Sequence, residues 1–264
     1  MLDRITPLVL TYNEEANIHR LMESLSWARR VVVVDSGSSD ATRAIVAGFA
    51  NASCVVRPFD NHAGQWNYGL TATAIETEWV LALDADYGLP AAFIEELKRL
   101  DPPAEVAGLR AAFRYCIEGV ALRGGLYPPV VVLFRRARAR YRQDGHTQRV
   151  EVDGRIESFA NPLLHDDRKP LAHWLWSQAR YMRTESAKLM SMPFGSLDMA
   201  DRLRRFIVVA PLAMFFYCYV LRGGVLEGKA GLFYALQRAT AEAILSLYLV
   251  LAALERAAAR VRDE

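Results

Sequence analysis

The sequence has 264 residues, of which 52% are hydrophobic and 23% charged, so the chain can bury a core and is not intrinsically disordered. Its 32 Lys and Arg residues against 30 Asp and Glu residues leave a net charge of +2, which argues against a general polyanion-binding protein. The 3 cysteines lie far apart, unlike those of a zinc ribbon or a disulfide framework, and favour a reducing compartment. Met1 leads into a strand-like run without the layout of a signal peptide, so we expect a cytoplasmic protein, peripheral on the inner membrane.

Short apolar runs alternate with helical stretches over the first hundred residues. The strand-like runs are residues 8–10, 31–34, 54–56 and 79–83. The helical stretches are residues 13–25, 41–50, 67–77 and 90–100. Alternation of this kind predicts an α/β protein with a mainly parallel central sheet.

The region from residue 106 to residue 164 is punctuated by glycine and proline and is predicted to complete the sheet. Asp153 and Gly154, between strand-like residues 150–152 and 155–157, predict a β-hairpin turn. Nine arginines and two acidic residues between Arg110 and Arg149 give this stretch a local charge of 9 − 2 = +7. Such a charge suits phosphate groups or an anionic membrane, and equally a solvated strand edge that resists aggregation.

The chain becomes helical after residue 168 and contains two apolar segments, residues 206–221 and 243–254. Both are shorter than the roughly 20 residues that a membrane-spanning helix needs. Arginines and aromatic residues around the first segment favour an interfacial or re-entrant helix pair, and the alternative is a pair of core helices in a soluble bundle. We therefore divide the chain into a catalytic domain, residues 1–168, and a helical, membrane-proximal region, residues 169–264.

Two carboxylates follow the fourth predicted strand at a spacing of two residues. Because strand side chains alternate, Asp84 and Asp86 face the same way at the carboxyl edge of the sheet, where open α/β sheets bind ligands. Convergent carboxylates favour a bound hard cation, Mg²⁺ or Mn²⁺, which would neutralise a diphosphate. Acidic pairs at strand ends also serve as turn and cap residues, so the pair alone does not establish a metal site.

Polar residues also follow the first two predicted strands. Tyr12 offers a stacking face for a base, and Asp35 offers an acceptor to a base or ribose. Gly37 allows a tight turn whose following amides suit an anion. The chain has neither a GxGxxG nor a GxxxxGK[ST] motif, which argues against a dinucleotide-binding dehydrogenase and a P-loop protein.

Four segments, in order, resemble the motifs of family 2 glycosyltransferases, and particularly a bacterial branch with lipopolysaccharide-core glucosyltransferases. These segments are Leu10–Glu15, Val33–Asp40, Gln65–Leu70 and Trp79–Asp86. A glycine-rich stretch at residues 222–232 is also similar to a late segment of those proteins. The resemblance implies a GT-A fold, a nucleotide-diphosphate sugar donor, Mg²⁺ or Mn²⁺, and inversion at the anomeric carbon.

The resemblance also assigns roles to individual residues. Nucleotide-sugar binding is implied for Tyr12, Asn13 and Glu14 around the nucleotide, Asp35 at the base and Asp84 at the ribose or sugar. Asp86 is implied as a metal ligand, and His165 resembles a further metal ligand of some GT-A enzymes, although it also fits a charged hinge before a helix. Gln65 and Asn67 receive no role beyond core packing or capping.

One departure from the family concerns the general base that takes the proton of the acceptor hydroxyl. Relatives carry an acidic residue where this chain has Gln148, and a neutral amide cannot accept that proton. Asp144 and His146 in the same loop are the equally ranked substitutes, and the alternatives for His146 are a metal or diphosphate ligand and an ordinary turn histidine.

The sequence thus predicts a metal-dependent transferase of a single sugar to a lipid-linked or cell-envelope glycan, since the QxxRW signature of processive synthases is absent. The expected partners are the donor, a glycan or glycolipid acceptor and a membrane surface, and no nucleic acid. A nucleotidyltransferase and a catalytically inactive sugar-nucleotide-binding or membrane-associated protein are the alternatives.

Overall fold

The protein is described by a computed structural model that covers residues 1–144 and 147–263. Its contacts divide the chain into two compact units. Unit 1 comprises Met1–Ala121 and Leu126–Lys169, and unit 2 comprises Leu122–Gly125 and Pro170–Glu264. The main division between the units therefore lies at residues 169 and 170, one residue after the expected end of the catalytic domain.

Unit 1 is built from strands with four intervening helices. The first strands are β1 (Ile5–Thr11), β2 (Val31–Asp35), β3 (Ala52–Val56), β4 (Trp79–Asp84), β5 (Tyr87–Gly88), β6 (Val106–Ala111) and β7 (Phe113–Ile117). The later strands are β8 (Val120–Ala121), β9 (Val130–Arg135), β10 (Ala139–Asp144), β11 (Thr147–Val152), β12 (Arg155–Ser158) and β13 (Leu163–His165). The helices are α1 (Ile18–Ser24), α2 (Thr42–Ala47), α3 (His62–Ala72) and α4 (Ala91–Arg99).

A 7-stranded sheet in the order β12-β6-β9-β4-β1-β2-β3 forms the centre of unit 1. Strands β3, β2, β1 and β4 are parallel to one another, and β9 is antiparallel to both β4 and β6. The valines of β2 are fully buried because apolar clusters cover both faces of the sheet. The predicted mainly parallel α/β fold is confirmed, and the parallel order brings the carboxyl ends of β1, β2 and β4 to one edge.

Two smaller sheets complete unit 1, and one of them contradicts the predicted hairpin at Asp153 and Gly154. Strand β11 pairs antiparallel with β10, whereas β12 pairs parallel with β6 in the central sheet. The Gly154 backbone has a φ of +139°, and the amides of Asp153 and Arg155 donate to the carbonyls of Arg138 and Glu105 rather than across a tight turn. The glycine thus sends the chain from one sheet into another. The remaining sheet has the order β5-β13-β7-β8.

The helix predicted over residues 67–77 begins earlier and ends earlier in the structure. Asn61 caps α3, because its side-chain oxygen accepts a hydrogen bond from the Gly64 amide at 2.7 Å. At the other end Thr73 has an extended backbone, and α3 stops at Ala72.

Unit 2 is helical, as predicted. Its helices are α5 (Leu171–Ser191), α6 (Met199–Arg204), α7 (Val209–Phe216) and α8 (Gly228–Asp263), with a π-helical turn at Tyr217–Leu221 after α7. In the part of the chain that is described, no single helix is long and apolar enough to cross a membrane. Residues Val209–Leu221 and Gly224–Ala259 meet that criterion of length and composition only together, as a pair bent by 66°.

Candidate active site

The loops that follow β1 and β2 are joined by hydrogen bonds. The Ser36 amide donates to the Thr11 carbonyl at 2.9 Å, and the Asn13 amide donates to Ser38 Oγ at 2.9 Å. In return, Asn13 Oδ1 accepts from the Ser39 amide at 2.9 Å, and Asn13 adopts a left-handed backbone with a φ of 54°. The sequence-predicted residues of the two loops therefore form one surface at the carboxyl edge of the sheet.

Asp35 and Tyr12 differ sharply in exposure within this surface. The Asp35 carboxylate is fully buried and accepts hydrogen bonds from the amides of Gly37 at 3.0 Å and Ser38 at 2.8 Å, and from Ser38 Oγ at 2.5 Å. Gly37 is needed there for its φ of +92°, a left-handed conformation that favours glycine. Tyr12 is 58% exposed and presents its ring to solvent. Asp35 therefore shapes the loop, and its contact with a base stays a prediction.

The acidic pair lies where β4 ends. Asp84 is the last residue of β4, and Asp86 lies in the turn before β5. Burial, together with the negative charge of Asp86, raises the pKa of Asp84 to about 6 even though the Tyr87 side chain hydrogen-bonds to it. Negative charge at this edge therefore destabilises the folded protein, and a bound cation would offset this destabilisation.

His165 is brought to the acidic pair by strand pairing. It is the last residue of β13, whose register places it opposite Tyr87 of β5 and Tyr115 of β7. The His165 Nε2 atom lies 3.3 Å from Asp86 Oδ2, and the amide of Asp166 donates to the Asp86 carbonyl at 2.9 Å. Two residues that are 79 positions apart in the sequence therefore share one site.

Aromatic rings fix the orientation of the His165 imidazole. The Tyr115 ring stacks on it with centroids 5.0 Å apart, and the Tyr127 ring lies 4.8 Å away. The hydroxyls of Tyr127 and Tyr87 are hydrogen-bonded at 2.9 Å. Burial raises the pKa of Tyr87 well above its ordinary value and that of Tyr127 in the same direction, so both hydroxyls stay neutral.

The donor set of Asp86 and His165 fits a divalent cation. Among the described residues, Asp86 Oδ1 and His165 Nδ1 are buried without a hydrogen-bond partner. Two adjacent ligands of an octahedral ion, each at about 2.1 Å, lie about 3 Å apart, which matches the observed Oδ2–Nε2 separation. No group of three or more His, Cys, Asp or Glu residues suited to a metal occurs in the described chain.

A buried ion pair borders this site. Lys169 Nζ donates to Glu14 Oε1, and the two side chains are only 14% and 13% exposed. Burial raises the pKa of Glu14 to about 7, although the ammonium of Lys169 acts to lower it. Burial acts to lower the pKa of Lys169, but Glu14, Asp167 and Asp86 together outweigh it and raise that pKa.

Asn17 ties the segment after His165 to the loop after β1. Its Nδ2 atom donates to Glu14 Oε2 and to Asp167 Oδ1, both at 2.8 Å. Its Oδ1 atom accepts from Arg20 Nη2 and from the Arg168 amide, both at 2.9 Å. Asn17 is 1% exposed, so both polar groups of a buried amide are satisfied. The sequence analysis missed Asn17, Lys169 and Tyr127, and only the charge of residues 165–169 signalled any of them.

Gln65 and Asn67, which received no role from the sequence, support the neighbouring loops. Gln65 Nε2 donates to Ser36 Oγ at 2.8 Å, and its Oε1 accepts from Arg57 at 2.6 Å. Asn67 Oδ1 accepts from the Tyr141 amide and its Nδ2 donates to the Tyr141 carbonyl, both at 2.9 Å. Asn67 thus fastens β10 to α3.

The two general-base candidates stay predictions. His146 and the side chain of Asp144 lie outside the described residues. Gln148, the neutral residue at the expected acidic position, lies on β11 opposite Gln143 of β10. The structure thus describes the residues predicted to bind a donor, but not the side chains of the two predicted bases.

Part of the chain is similar to known glycosyltransferases. Residues 8–118 match the family model described as "Glycosyl transferase family 2". The chain is 32% identical over 149 residues to "Lipopolysaccharide core biosynthesis glycosyltransferase LpsC" of Rhizobium meliloti, which covers 52% of this chain and 53% of that protein. It is 34% identical over 96 residues to an "Uncharacterized glycosyltransferase" of Rickettsia bellii, with 36% and 32% covered. The chain thus spans about half or less of these relatives.

Among solved structures, S. aureus TarS 1-349 in complex with UDP-GlcNAc is 15% identical to this chain. The match covers 96% of this chain and 92% of that one with a TM-score of 0.49. Glucosyl-3-phosphoglycerate synthase of Mycobacterium tuberculosis, in complex with Mn²⁺, UDP-glucose and phosphoglyceric acid, is 23% identical. That match covers 42% of this chain and 43% of that one with a TM-score of 0.35.

Proposed function

We propose, from the match of residues 8–118 to the model of glycosyl transferase family 2, that this protein is an inverting, metal-dependent glycosyltransferase. It transfers one sugar from a nucleotide-diphosphate sugar to a hydroxyl group of a lipid-linked or cell-envelope glycan. The observation that carries the proposal is the approach of His165 Nε2 to Asp86 Oδ2 at 3.3 Å, at the carboxyl edge of the sheet. Asp86 lies within the matched segment, and His165 follows it in the chain. The lipopolysaccharide-core relative supports the class of acceptor.

The reaction needs the donor held with its anomeric carbon open to the acceptor. The acceptor oxygen attacks that carbon, the bond from the carbon to the diphosphate breaks, and the acceptor proton passes to a base. Asp86 and His165 would hold Mg²⁺ or Mn²⁺, which would neutralise the charge that develops on the leaving diphosphate. Tyr12 would stack on the nucleotide base, and Asp84 would contact the ribose or the sugar.

The test is release of nucleoside diphosphate from a panel of nucleotide sugars, with Mn²⁺ and a bacterial envelope glycolipid fraction as acceptor. Asp86→Asn keeps the side-chain volume but removes the charge, so we expect turnover to fall by about 100-fold or more. Asp101→Asn is the matched control, because the Asp101 side chain is 95% exposed and forms a long ion pair with Arg4, at 3.9 Å. Equal turnover of the Asp86 variant and the control would contradict the metal role. Release of pyrophosphate instead would indicate a nucleotidyltransferase.

We also propose that unit 2 docks on the cytoplasmic face of the inner membrane, where a lipid-linked acceptor would be found. Three exposed leucines, Leu212, Leu221 and Leu226, are 59%, 77% and 87% exposed. Arg202 and Arg222 lie on either side of the apolar segment 206–221. Exposed apolar side chains next to arginines are typical of helices that bind an anionic lipid surface. The bent helix pair of unit 2 is compatible with this arrangement.

Sedimentation with vesicles of mixed neutral and anionic phospholipid tests this docking. The double variant Leu221→Asp/Leu226→Asp should bind at least about tenfold more weakly, because each leucine contributes about 1.5–3 kcal/mol when buried. Val120→Asp is the control, since Val120 is an exposed apolar residue of unit 1 with 53% exposure. Unchanged vesicle binding of the double variant would contradict the docking.

A further inference from the structure

The positively charged side chains around the segment after His165 differ in how many hydrogen bonds they donate to the protein. Arg168 donates to Asp166 Oδ2 through Nε at 3.0 Å and Nη2 at 2.8 Å. Arg20 donates to the Asp166 carbonyl at 2.7 Å and to Asn17 at 2.9 Å. Both guanidinium groups are therefore held by several hydrogen bonds that fix the backbone of this segment.

Lys169 is held differently. In the described chain its ammonium, which carries three N–H donors, makes one hydrogen bond, to Glu14. Its other ion-pair partner, Asp167 Oδ1, is 3.9 Å away, beyond hydrogen-bond distance. Asp167 is itself engaged by Asn17 and by the Lys169 amide. The ammonium thus keeps donors that a further anion can use.

Backbone and side-chain contacts tie Lys169 to the acidic edge. Lys169 follows Asp166 by three residues, and the Asp166 amide donates to the Asp86 carbonyl at 2.9 Å. The Lys169 ammonium donates to Glu14 in the loop after β1, so it lies at the edge where the proposed donor would bind. A donor adds two or more negative charges to an edge that already holds these carboxylates, so a cation that turns toward the diphosphate stabilises the complex.

We propose that Lys169 is a diphosphate-binding residue of the donor site, whose ammonium exchanges the Glu14 carboxylate for the donor's diphosphate. The proposal rests on the function proposed above and adds a residue to it. A lysine ammonium on four flexible methylenes is suited to such an exchange, whereas the forked contacts of Arg168 are not.

The exchange leaves no charged carboxylate buried without a partner. Glu14 faces Lys169, the Asn17 amide and the more distant charge of Asp86. With a pKa already raised to about 7 in the presence of Lys169, Glu14 takes up a proton near neutral pH when the ammonium leaves. Its protonated form keeps the hydrogen bond from Asn17.

The experiment compares Glu14→Gln with the double variant Glu14→Gln/Lys169→Met. Neither variant contains the buried Glu14 charge, so removal of the lysine leaves no unpaired carboxylate there that would unfold the protein. For each variant the dissociation constants of UMP, UDP, GMP and GDP are measured by calorimetry at fixed Mn²⁺, and thermal unfolding confirms that it is folded. The readout is the ratio of the monophosphate to the diphosphate dissociation constant. Because both nucleotides share the same base and ribose, effects of a substitution on the binding of those groups cancel in this ratio.

We expect Glu14→Gln to keep this ratio at the wild-type value or above it, because its Lys169 is free of the competing carboxylate. The double variant should lower the ratio by about 10- to 100-fold, the range for loss of a hydrogen bond to a charged group. An unchanged ratio in the double variant would overturn the role of Lys169 while leaving the proposed function intact. If the wild type binds no nucleoside diphosphate in a panel that also contains ADP, CDP and dTDP, both the proposed function and the role of Lys169 fail.

Discussion

Removal of the Asn17 side chain is the perturbation that most directly probes how the candidate metal site is held together. Asn17→Ala deletes four hydrogen bonds, each between 2.8 and 2.9 Å long, and two of them end on the carboxylates of Glu14 and Asp167. A neutral hydrogen bond contributes about 0.5–1.5 kcal/mol and one to a charged group about 1.5–3 kcal/mol, without strict additivity. We therefore expect the free energy of unfolding to fall by about 3–5 kcal/mol.

The same substitution should weaken the metal site without touching a ligand. Asn17 holds the Asp167 carboxylate and the Arg168 amide, two and three residues after His165. Loss of a group that orients a ligand typically reduces metal affinity by about 10- to 100-fold. Urea unfolding and Mn²⁺ titration by calorimetry measure the two effects on the same preparation.

Asn51→Ala is the matched control for both measurements. Its amide also joins two segments of unit 1, since Asn51 Nδ2 donates to the carbonyls of Leu25 at 3.2 Å and Ala28 at 2.9 Å. This variant should lose about 1–2 kcal/mol and bind Mn²⁺ as the wild type does. The reasoning is refuted if Asn17→Ala is no less stable than Asn51→Ala and keeps wild-type Mn²⁺ affinity.

Three further substitutions test other parts of unit 1. Gly69→Ala should cost about 1–3 kcal/mol in urea unfolding, because the new Cβ would lie 2.7 Å from Leu8 Cδ1 in the core; wild-type stability would contradict this packing. Glu14 binds its proton more tightly in the folded protein, with a pKa of about 7 against 4.5, so its contribution to stability falls as pH rises between these values. The difference in unfolding free energy between Glu14→Gln and the wild type should therefore shift in favour of the variant by about 2–4 kcal/mol from pH 4 to pH 8. Parallel profiles of unfolding free energy against pH would contradict the raised pKa of Glu14. Asp35→Asn removes a charged acceptor of the Gly37 and Ser38 amides and should lower the unfolding free energy by about 1–3 kcal/mol; an unchanged midpoint would show that the charge is not needed.

The strands that carry the candidate site could be predicted from the sequence, because they are short apolar runs with polar residues at their ends. The four buried valines of β2 predict a central strand by themselves, and the neighbouring runs follow the same pattern. Parallel order then brings the residues after β1, β2 and β4 to one edge. The acidic pair and Tyr12 could therefore be placed near one another before any coordinates were known.

Contacts between distant segments could not be predicted in this way. Strand β12 joins β6 across about 50 residues, and local turn chemistry at Gly154 instead suggests a hairpin with β11. Asn17 and Asp167 are separated by 150 positions, and neither carries a local pattern that identifies the other. Polar contacts between such segments form only because the folded sheet brings the segments together.

The central claim is that Asp86 and His165 together hold the cation of a bound nucleoside diphosphate. Its most direct test is a crystal structure of the wild-type protein grown with Mn²⁺ and UDP, or with GDP if calorimetry shows that it binds better, with anomalous scattering recorded at the manganese edge. The account predicts one anomalous peak at coordination distance from both the Asp86 carboxylate and the His165 imidazole, in contact with the diphosphate. A bound diphosphate with manganese elsewhere, or with no manganese at this pair, would contradict it.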